Sequence, residues 1–253
     1  MFPDFNLENR VALLTGAGRG IGRGIAQALA SAGCAVAIQD IEKDVAQQAA
    51  DEIVKNGGHA IALGGDITDL DLPRHLVGET QSQLGGLHIL VNNAAIQVEK
   101  SWLELSTEEI EHQIRADQIA PILLSQLVAP IFREQGWGRV LNVGSIQGLK
   151  GNPGMLAYSM SKGALENMTR GLGRDLVQHG TTVNIICPGY FDTYRNRDQF
   201  PNEEEKKKRG EWLPAKRVGD PEDCGGIALL LCSDAGSYIT GQTIYVDGGL
   251  SVR

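Results

Sequence analysis

Positive charge is scarce in this chain of 253 residues, which carries 23 lysines and arginines against 31 aspartates and glutamates. The net charge is −8 and the pI is near 5.2. Binding to nucleic acid or to an acidic membrane surface requires a basic patch, so we expect neither as a partner. The composition is compatible with an enzyme that acts on a small molecule.

Long apolar runs are also missing. No stretch approaches the ~20 apolar residues that cross a bilayer, and the N-terminal MFPDFNLENR has no charged start followed by an apolar segment. We therefore expect a cytoplasmic protein.

Cysteine is limited to four residues without C-x-x-C spacing, Cys34, Cys187, Cys224 and Cys232. Their apolar surroundings indicate buried free thiols. The five histidines are scattered without the spacing of metal ligands, so we expect no metal site.

Aromatic residues make up only 5% of the chain, whereas glycine is abundant with 32 residues. Short apolar runs alternate with helical patterns, and this β-α-β-α order predicts a parallel sheet with right-handed crossovers. No linker interrupts the order, and α/β chains of this length commonly form one domain. The sequence predicts a single α/β domain.

A glycine-rich turn, TGAGRGIG from Thr15 to Gly22, joins the first predicted strand to a helix. Such a turn lets the backbone approach a pyrophosphate at a helix N-terminus, although by itself it can be only a tight connection. Asp40 ends the second predicted strand about twenty residues later, where an acid binds the adenosine ribose hydroxyls and repels a 2′-phosphate. NAD is therefore favoured over NADP.

Two observations leave alternatives open at this end. Arg19 beside the glycine turn could bind a 2′-phosphate. Asp40 could also cap the helix that begins near Glu42, and this role could coexist with binding of the ribose. Asp66 and Ile67 follow the third predicted strand and could contact adenine, although a turn-forming aspartate fits equally well.

Tyr158 and Lys162 lie four residues apart in YSMSK, so a helix projects both side chains from one face. An ammonium close to a phenol favours the phenolate form, which makes the phenol a useful acid or base at neutral pH. Ser145 follows the apolar run 140–143, whose strand end would bring its hydroxyl beside the tyrosine. Because a Tyr-x-x-x-Lys pair also arises by chance, this hypothesis depends on the cofactor site.

A long helical pattern from Thr107 to Arg133 contains Pro121. Proline lacks an N–H, so the carbonyl of Asp117 loses its partner and the helix bends. The freed carbonyl could hold a water molecule, or the kink could be relieved by solvent. The segment 190–217 has no clear periodicity, and long irregular segments are often lids; its charge run EEEKKK is typical of a solvated helix face.

In order along the chain, TGAGRGIG, Asp40, NNAA from Asn92, Ser145, YSMSK and PGYFDT from Pro188 resemble the short-chain dehydrogenase/reductase family, over nearly the whole length. The resemblance implies a Rossmann-like, doubly wound sheet of seven parallel strands with helices on both faces. It also implies hydride transfer between a nicotinamide and an alcohol or carbonyl. Tyr158 would be the proton donor and acceptor, Ser145 would orient the substrate oxygen, and Lys162 would bind the nicotinamide ribose.

The sequence and the resemblance together give the candidate contacts. Those for the cofactor are Gly16, Arg19, Gly20, Ile21, Gly22, Asp40, Asp66, Ile67, Asn93, Ala94, Ala95, Tyr158, Lys162, Pro188, Gly189, Phe191 and Thr193. Those for the substrate are Ile96, Gln147, Met155 and Tyr190, with Asn152 as a further polar candidate. The resemblance also implies a homotetramer formed through helices 107–133 and 157–179.

Two positions depart from the family pattern. Ala95 stands where a glycine is usual, and Asp117 stands where the family places an asparagine that completes a proton relay. Because the main-chain carbonyl of that residue is thought to hold the relay water, we expect a working relay with an altered pH profile, since a carboxylate near Lys162 favours the charged form of the lysine.

Three functions are compatible with the sequence. The favoured one is an NAD-dependent oxidoreductase acting on a secondary alcohol of a sugar, polyol or small hydroxy compound. The alternative is a reductase of 3-oxoacyl thioesters on an acyl carrier protein, which Asp40 and the sparse positive charge between Arg133 and Arg139 disfavour. A cofactor-binding protein with little catalysis is indicated only by Asp117.

Overall fold

The computed structural model of the protein describes residues 4–199 and 201–252. Its strands are β1 Val11–Leu14, β2 Ala35–Asp40, β3 Ala60–Gly64, β4 Ile89–Asn92, β5 Gly138–Val143, β6 Thr181–Pro188 and β7 Thr243–Val246. They form one sheet in the order β3-β2-β1-β4-β5-β6-β7, and every neighbouring pair is parallel. The predicted Rossmann-like fold is confirmed.

Helices connect the strands. They are α1 Gly20–Ser31, α2 Lys43–Lys55, α3 Leu72–Leu84, α4 Thr107–Ile114, α5 Ala120–Gln135, α6 Gln147–Lys150, α7 Leu156–Leu176, α8 Glu203–Glu211 and α9 Gly225–Cys232. Helices α1, α2 and α9 contribute to the apolar core on one face of the sheet, and α3, α5 and α7 contribute to the core on the other. Because both faces are covered, the central strands are continuous apolar runs rather than alternating ones.

The strand order changes direction between β1 and β4. Leu14 of β1 pairs with Ile38 of β2 on one side and with Val91 of β4 on the other. In open α/β sheets, the connections diverge at such a point and leave a crevice at the carboxyl ends of the strands. The glycine turn and the asparagine pair both lie at this crevice.

The long helix predicted from Thr107 to Arg133 is interrupted, so the prediction of one bent α-helix is wrong in its middle. A π-helical segment, Arg115–Ile119, separates α4 from α5, and the N–H of Ala120 donates to the carbonyl of Arg115, five residues earlier. Pro121 has no N–H to donate to Asp117, so the backbone widens here instead of continuing as an α-helix. Such bulges occur frequently at functional sites.

The segment 190–217 contains more regular structure than its sequence pattern predicts. A 3₁₀ helix covers Tyr194–Gln199, and α8 begins after Asn202, whose side chain accepts a hydrogen bond from the N–H of Glu205 at 3.0 Å. The charge run lies on α8, and the ion pair of Lys208 with Glu204 at i,i+4 confirms the predicted solvated face.

Lys206 is the member of the charge run that turns towards the body of the protein. Its ammonium lies 2.8 Å from a carboxylate oxygen of Asp192 and 2.9 Å from one of Asp220. These contacts tie α8 to the loop that follows β6.

The four cysteines are buried and free, as expected. Burial raises the pKa of Cys187, Cys224 and Cys232 to about 12, which keeps these thiols protonated. Within the described residues, no helix is long and apolar enough to cross a bilayer, and no group of three or more metal-ligating side chains is found.

Candidate active site

A cavity of about 710 Å³ lies at the carboxyl ends of the strands. Each candidate cofactor residue and each candidate substrate residue lines it, namely Gly16, Arg19, Gly20, Ile21, Gly22, Asp40, Asp66, Ile67, Asn93, Ala94, Ala95, Ile96, Ser145, Gln147, Asn152, Met155, Tyr158, Lys162, Pro188, Gly189, Tyr190, Phe191 and Thr193. Asp117 is the exception among the predicted residues, because it lies behind the cavity wall.

The glycine turn packs closely against the end of β4. Gly16 and Gly20 both have a φ of +58°, and a Cβ on Gly16 would lie 2.7 Å from Cα of Ala94. The side-chain amide of Asn93 donates to the carbonyls of Thr15 and Gly16 at 2.9 and 2.7 Å, which fixes the turn against the end of β4. Only glycine fits where backbone meets backbone this closely.

The start of α1 faces this turn without a competing anion. No side chain caps it, and no acidic residue lies in its first turn. The N–H groups of a helix start and the helix dipole favour a phosphate. The residues present therefore fit the pyrophosphate of a dinucleotide.

Asp40 is nearly buried and is held in place by backbone. One carboxylate oxygen accepts the N–H of Gly18 at 3.2 Å, and the other accepts that of Glu42 at 3.3 Å. Glu42, not Asp40, is the residue that precedes α2, so the capping alternative for Asp40 is wrong. Arg19 pairs with Glu42 at 2.6 Å, so the guanidinium that could meet a 2′-phosphate lies beside a carboxylate.

Asp66 serves a turn at the edge of the cavity. Its Oδ1 accepts hydrogen bonds from the N–H and the hydroxyl of Thr68, both at 2.9 Å. Asp66 and its neighbour Ile67 also line the cavity, so the two interpretations of this pair coexist.

Ser145, Tyr158 and Lys162 come together from β5 and α7. The ammonium of Lys162 donates to the carbonyl of Val143 at 3.0 Å and lies 5.5 Å from the centroid of the Tyr158 ring. Oγ of Ser145 accepts the N–H of Gln147 at 3.2 Å, which leaves the serine hydroxyl proton available to a ligand. A phenol, a hydroxyl and an ammonium at one cavity wall can exchange a proton with a bound alcohol or carbonyl.

The side chain of Asp117 lies close to Lys162, as the sequence predicted, and it also binds the backbone after β4, which the sequence did not indicate. Its Oδ1 accepts the N–H of Ile96 at 2.9 Å, and its Oδ2 lies 3.6 Å from the ammonium of Lys162 without a hydrogen-bond partner. Burial raises the pKa of Asp117, and the charge of Lys162 opposes that shift.

The loop after β6 closes the opposite wall. Gly189 donates to the carbonyl of Val246 at 2.9 Å, and a Cβ on this glycine would lie 2.7 Å from Cα of Asp247. Phe191 is buried, and Thr193 lines the cavity beside it. Their contact with a nicotinamide stays a prediction.

Several lining residues were not predicted. Gln39 accepts the N–H of Gly16 at 3.0 Å through its side chain, and its position at the end of β2 was the available signal. The others with polar side chains are Glu42, Gln97, His112, Tyr194, Arg195, Asn196 and Gln199. Four of these lie on the 3₁₀ helix 194–199, which has no sequence periodicity to reveal it.

Comparison with known proteins agrees with this architecture. A family model described as enoyl-(acyl carrier protein) reductase matches residues 16–251. The chain is 35% identical over 248 residues to 3-oxoacyl-(acyl-carrier-protein) reductase of Aquifex aeolicus, covering 98% of the chain and 99% of that protein. The chain belongs to the short-chain dehydrogenase/reductase family. It is therefore an oxidoreductase of that type.

Solved structures of the family match closely. A 7α-hydroxysteroid dehydrogenase complexed with NADH and 7-oxo glycochenodeoxycholic acid has a TM-score of 0.92 at 35% identity and 98% coverage of both chains. A gluconate 5-dehydrogenase from Burkholderia cenocepacia, in complex with NADP and tartrate, has a TM-score of 0.90 at 32% identity and 98% coverage of both. Members similar to this chain thus bind either nicotinamide cofactor.

Proposed function

We propose that this short-chain dehydrogenase/reductase prefers NAD and transfers a hydride to or from a secondary alcohol or ketone in a small polyhydroxy compound, such as a sugar or polyol. The observation that carries the proposal is the arrangement of Ser145, Tyr158 and Lys162 on one cavity whose far end presents the carboxylate of Asp40.

The preference for NAD rests on charge. Asp40 and Glu42 both line the cavity where β2 ends, and Arg19 is already paired with Glu42. A 2′-phosphate there would approach carboxylates and would have to displace an ion pair to gain a guanidinium. The two ribose hydroxyls of NAD can instead donate hydrogen bonds to Asp40.

The reaction centre supplies the proton chemistry. A bound nicotinamide would supply or accept the hydride. The hydroxyl of Ser145 donates a hydrogen bond to the substrate oxygen, and the phenol of Tyr158 gives that oxygen its proton in reduction and removes it in oxidation. Lys162, whose ammonium donates to the carbonyl of Val143, places a positive charge 5.5 Å from the centroid of the Tyr158 ring.

A polar substrate is supported by the lining beyond this centre. Gln147, Asn152 and Tyr190 offer hydrogen-bonding groups, while Ile96 and Met155 provide apolar surface. A structural relative named for gluconate, with tartrate bound, supports a polyhydroxy compound. The relative from Aquifex aeolicus favours the second candidate, reduction of 3-oxoacyl thioesters, against which the net charge of −8 counts because an acidic carrier needs a basic surface.

The test is formation of NADH or NADPH by the purified protein with sugars, polyols, hydroxy acids and simple secondary alcohols, and consumption of each with 3-oxoacyl thioesters. Tyr158→Phe is the control. Turnover with NAD that falls by about 10²- to 10⁴-fold in the variant supports the proposal. Activity confined to thioesters and NADPH selects the second candidate, and NADH binding without any turnover indicates a binding protein.

We further propose that residues 1–253 form one domain with a substrate lid at 190–217, and that the protein is a cytoplasmic homotetramer. The exposed apolar side chains of Ile122 on α5 and Met160 on α7 support assembly through these helices. Four free thiols fit a reducing compartment. Light scattering on the protein as it elutes from a size-exclusion column measures its molar mass and so tests the tetramer.

A further inference from the structure

Arg195 holds an unusual position in the cavity. It lies on the 3₁₀ helix Tyr194–Gln199 and lines the same space as Ser145 and Tyr158. Its Nη2 donates to the carbonyl of Ala95 at 2.8 Å, and its Nη1 donates to the side chain of Gln97 at 3.4 Å. The guanidinium is thereby held against the segment that follows β4, at the end of the cavity beyond the cofactor turn.

No carboxylate lies within 4.0 Å of this guanidinium among the described residues. Two nearby arginines do have a carboxylate partner. Arg19 pairs with Glu42 at 2.6 Å, and Arg197 pairs with Asp198 at 3.9 Å. A guanidinium also has more N–H donors than the two hydrogen bonds of Arg195 occupy. Arg195 therefore has both charge and donors to offer a ligand.

Charge is distributed unevenly along the cavity. Its acidic lining residues, Asp40, Glu42 and Asp66, lie where β2 and β3 end, together with Arg19, which pairs with Glu42. The other lysine and arginine of the lining are Lys162 and Arg195. The positive charge of Arg195 also acts on the reaction centre. It favours the ionised form of Asp117 and so lowers the pKa of that carboxyl, against the effect of burial. An anionic substrate group is therefore favoured near Arg195 and disfavoured near the carboxylates at the ends of β2 and β3.

We propose that Arg195 binds a carboxylate of the substrate, so that the enzyme acts on a hydroxy acid or keto acid in preference to a neutral polyol. A guanidinium matches the two oxygens of a carboxylate, and such charge-assisted pairs give both affinity and orientation. Held in this way, the acid group would place a hydroxyl-bearing carbon of the chain at Ser145 and Tyr158. The inference rests on the proposed function and specifies its substrate class.

The cofactor diphosphate is the other anion that could reach this arginine. It is already accounted for by the glycine turn and the start of α1. Arg195 contacts Ala95 and Gln97 instead, on either side of Ile96, whose N–H binds Asp117 beside Lys162. The contacts of Arg195 thus favour the substrate, and the experiment separates the two anions.

The experiment compares acids with neutral compounds of the same carbon skeleton, D-gluconate with D-glucitol and D-galactonate with galactitol. Variants are Arg195→Gln and Arg195→Lys, and Arg197→Gln is the matched control on the same 3₁₀ helix. In Arg195→Gln, kcat/KM for the acid should fall by about 10- to 100-fold, with that for the neutral partner unchanged. Arg195→Lys should lose less, and Arg197→Gln should change neither.

A binding measurement makes the result independent of turnover. D-gluconate is titrated calorimetrically into each protein saturated with NADH. If the natural protein binds D-gluconate and Arg195→Gln does not, the carboxylate site is supported. If no turnover accompanies that result, the proposed reaction is contradicted and the carboxylate site is not. Three results overturn the inference: equal loss for acids and neutral partners, no binding of either acid by the natural protein, or weaker NADH binding in Arg195→Gln, which would assign the arginine to the diphosphate.

Discussion

The carboxylate of Asp117 lies 3.6 Å from the ammonium of Lys162, and neither side chain is more than 3% exposed. The lysine is also bound to the carbonyl of Val143, whereas Oδ2 of the aspartate has no hydrogen-bond partner. Burial with one unsatisfied oxygen disfavours the charged form of a carboxyl, whereas a nearby ammonium favours that form. Ionisation of Asp117 is therefore coupled to the lysine that supports the reaction centre.

Asp117→Asn should change the pH dependence of kcat/KM. The asparagine can still accept the N–H of Ile96 but cannot ionise, so the profile should lose one ionisation on its acid side. The measurement is kcat/KM from about pH 5 to pH 10, with Asp175→Asn, a surface ion-pair partner of Arg133, as the control. Superimposable profiles for Asp117→Asn and the natural protein would show that the carboxyl has no part in proton transfer.

Compared with the natural protein, Asp117→Asn should become more stable as the pH rises. Folding raises the pKa of Asp117, so the native state holds more protons than the unfolded state between the unfolded and folded values. The free energy of unfolding of the natural protein then falls as the pH increases through this window, and the variant lacks that loss. Urea unfolding of both proteins from acid to neutral pH measures the difference, and a constant difference contradicts it.

Gly16→Ala should weaken both the fold and the binding of NADH. The residue has a φ of +58°, and the new Cβ would lie 2.7 Å from Cα of Ala94. We expect a loss of about 1–3 kcal/mol in the free energy of unfolding and a Kd for NADH raised by roughly tenfold.

Gly57→Ala is the matched control for this change. Gly57 has a φ of +88°, but nothing lies within 4 Å of an added Cβ. It should lose only the backbone contribution of about 1 kcal/mol and should bind NADH normally. Equal effects of the two substitutions would mean that the contact with Ala94 is unimportant.

Asp40→Asn should move cofactor preference towards NADP. The substitution preserves the shape of the side chain and removes the charge that faces the ribose end, so kcat/KM with NADP relative to NAD should rise by about tenfold. Adding Glu42→Gln should raise the ratio further, because it removes the ion-pair partner of Arg19. A ratio that stays constant in both variants would place the preference elsewhere in the cavity.

Lys206→Met should loosen the segment 190–217. The methionine fills similar space but cannot pair with Asp192 and Asp220, which the lysine contacts at 2.8 and 2.9 Å. We expect faster chymotrypsin cleavage within the segment and a higher KM. Lys208→Met is the control, because among the described residues Lys208 forms ion pairs with Glu204 and Glu205, both on its own helix. Equal cleavage rates in the two variants would show that the contacts of Lys206 do not hold the segment closed.

Local sequence was sufficient to predict the strands of the sheet, the pairing of Tyr158 with Lys162 and the glycine turn. Four- to six-residue apolar runs indicate buried parallel strands because both faces of the sheet are covered. Tyr158 and Lys162 could be paired because their spacing alone places them on one helix face. The glycine turn is equally local, since its backbone angles depend on the residues that form it.

The remaining features depend on contacts between distant segments. The side chain of Asp117 meets the N–H of Ile96, twenty-one residues earlier, only because the π-helical segment brings the two together. Pro121 predicted a bend in the helix but not the π-helical segment that widens the backbone. Arg195 could not be found because the 3₁₀ helix that carries it has no sequence periodicity.

The change in strand order between β1 and β4 separates the residues of the two ends of the cavity along the chain. The residues of the ribose end, from Gly16 to Ile67, all precede β4, whereas Asp117, Ser145, Tyr158 and Lys162 all follow it. Asn93, which binds the carbonyl of Gly16, joins the halves at their common border. On the proposed function, the residues expected to choose between NAD and NADP and those expected to contact the substrate lie in separate stretches of the gene, so mutations in one stretch should change one specificity and leave the other intact.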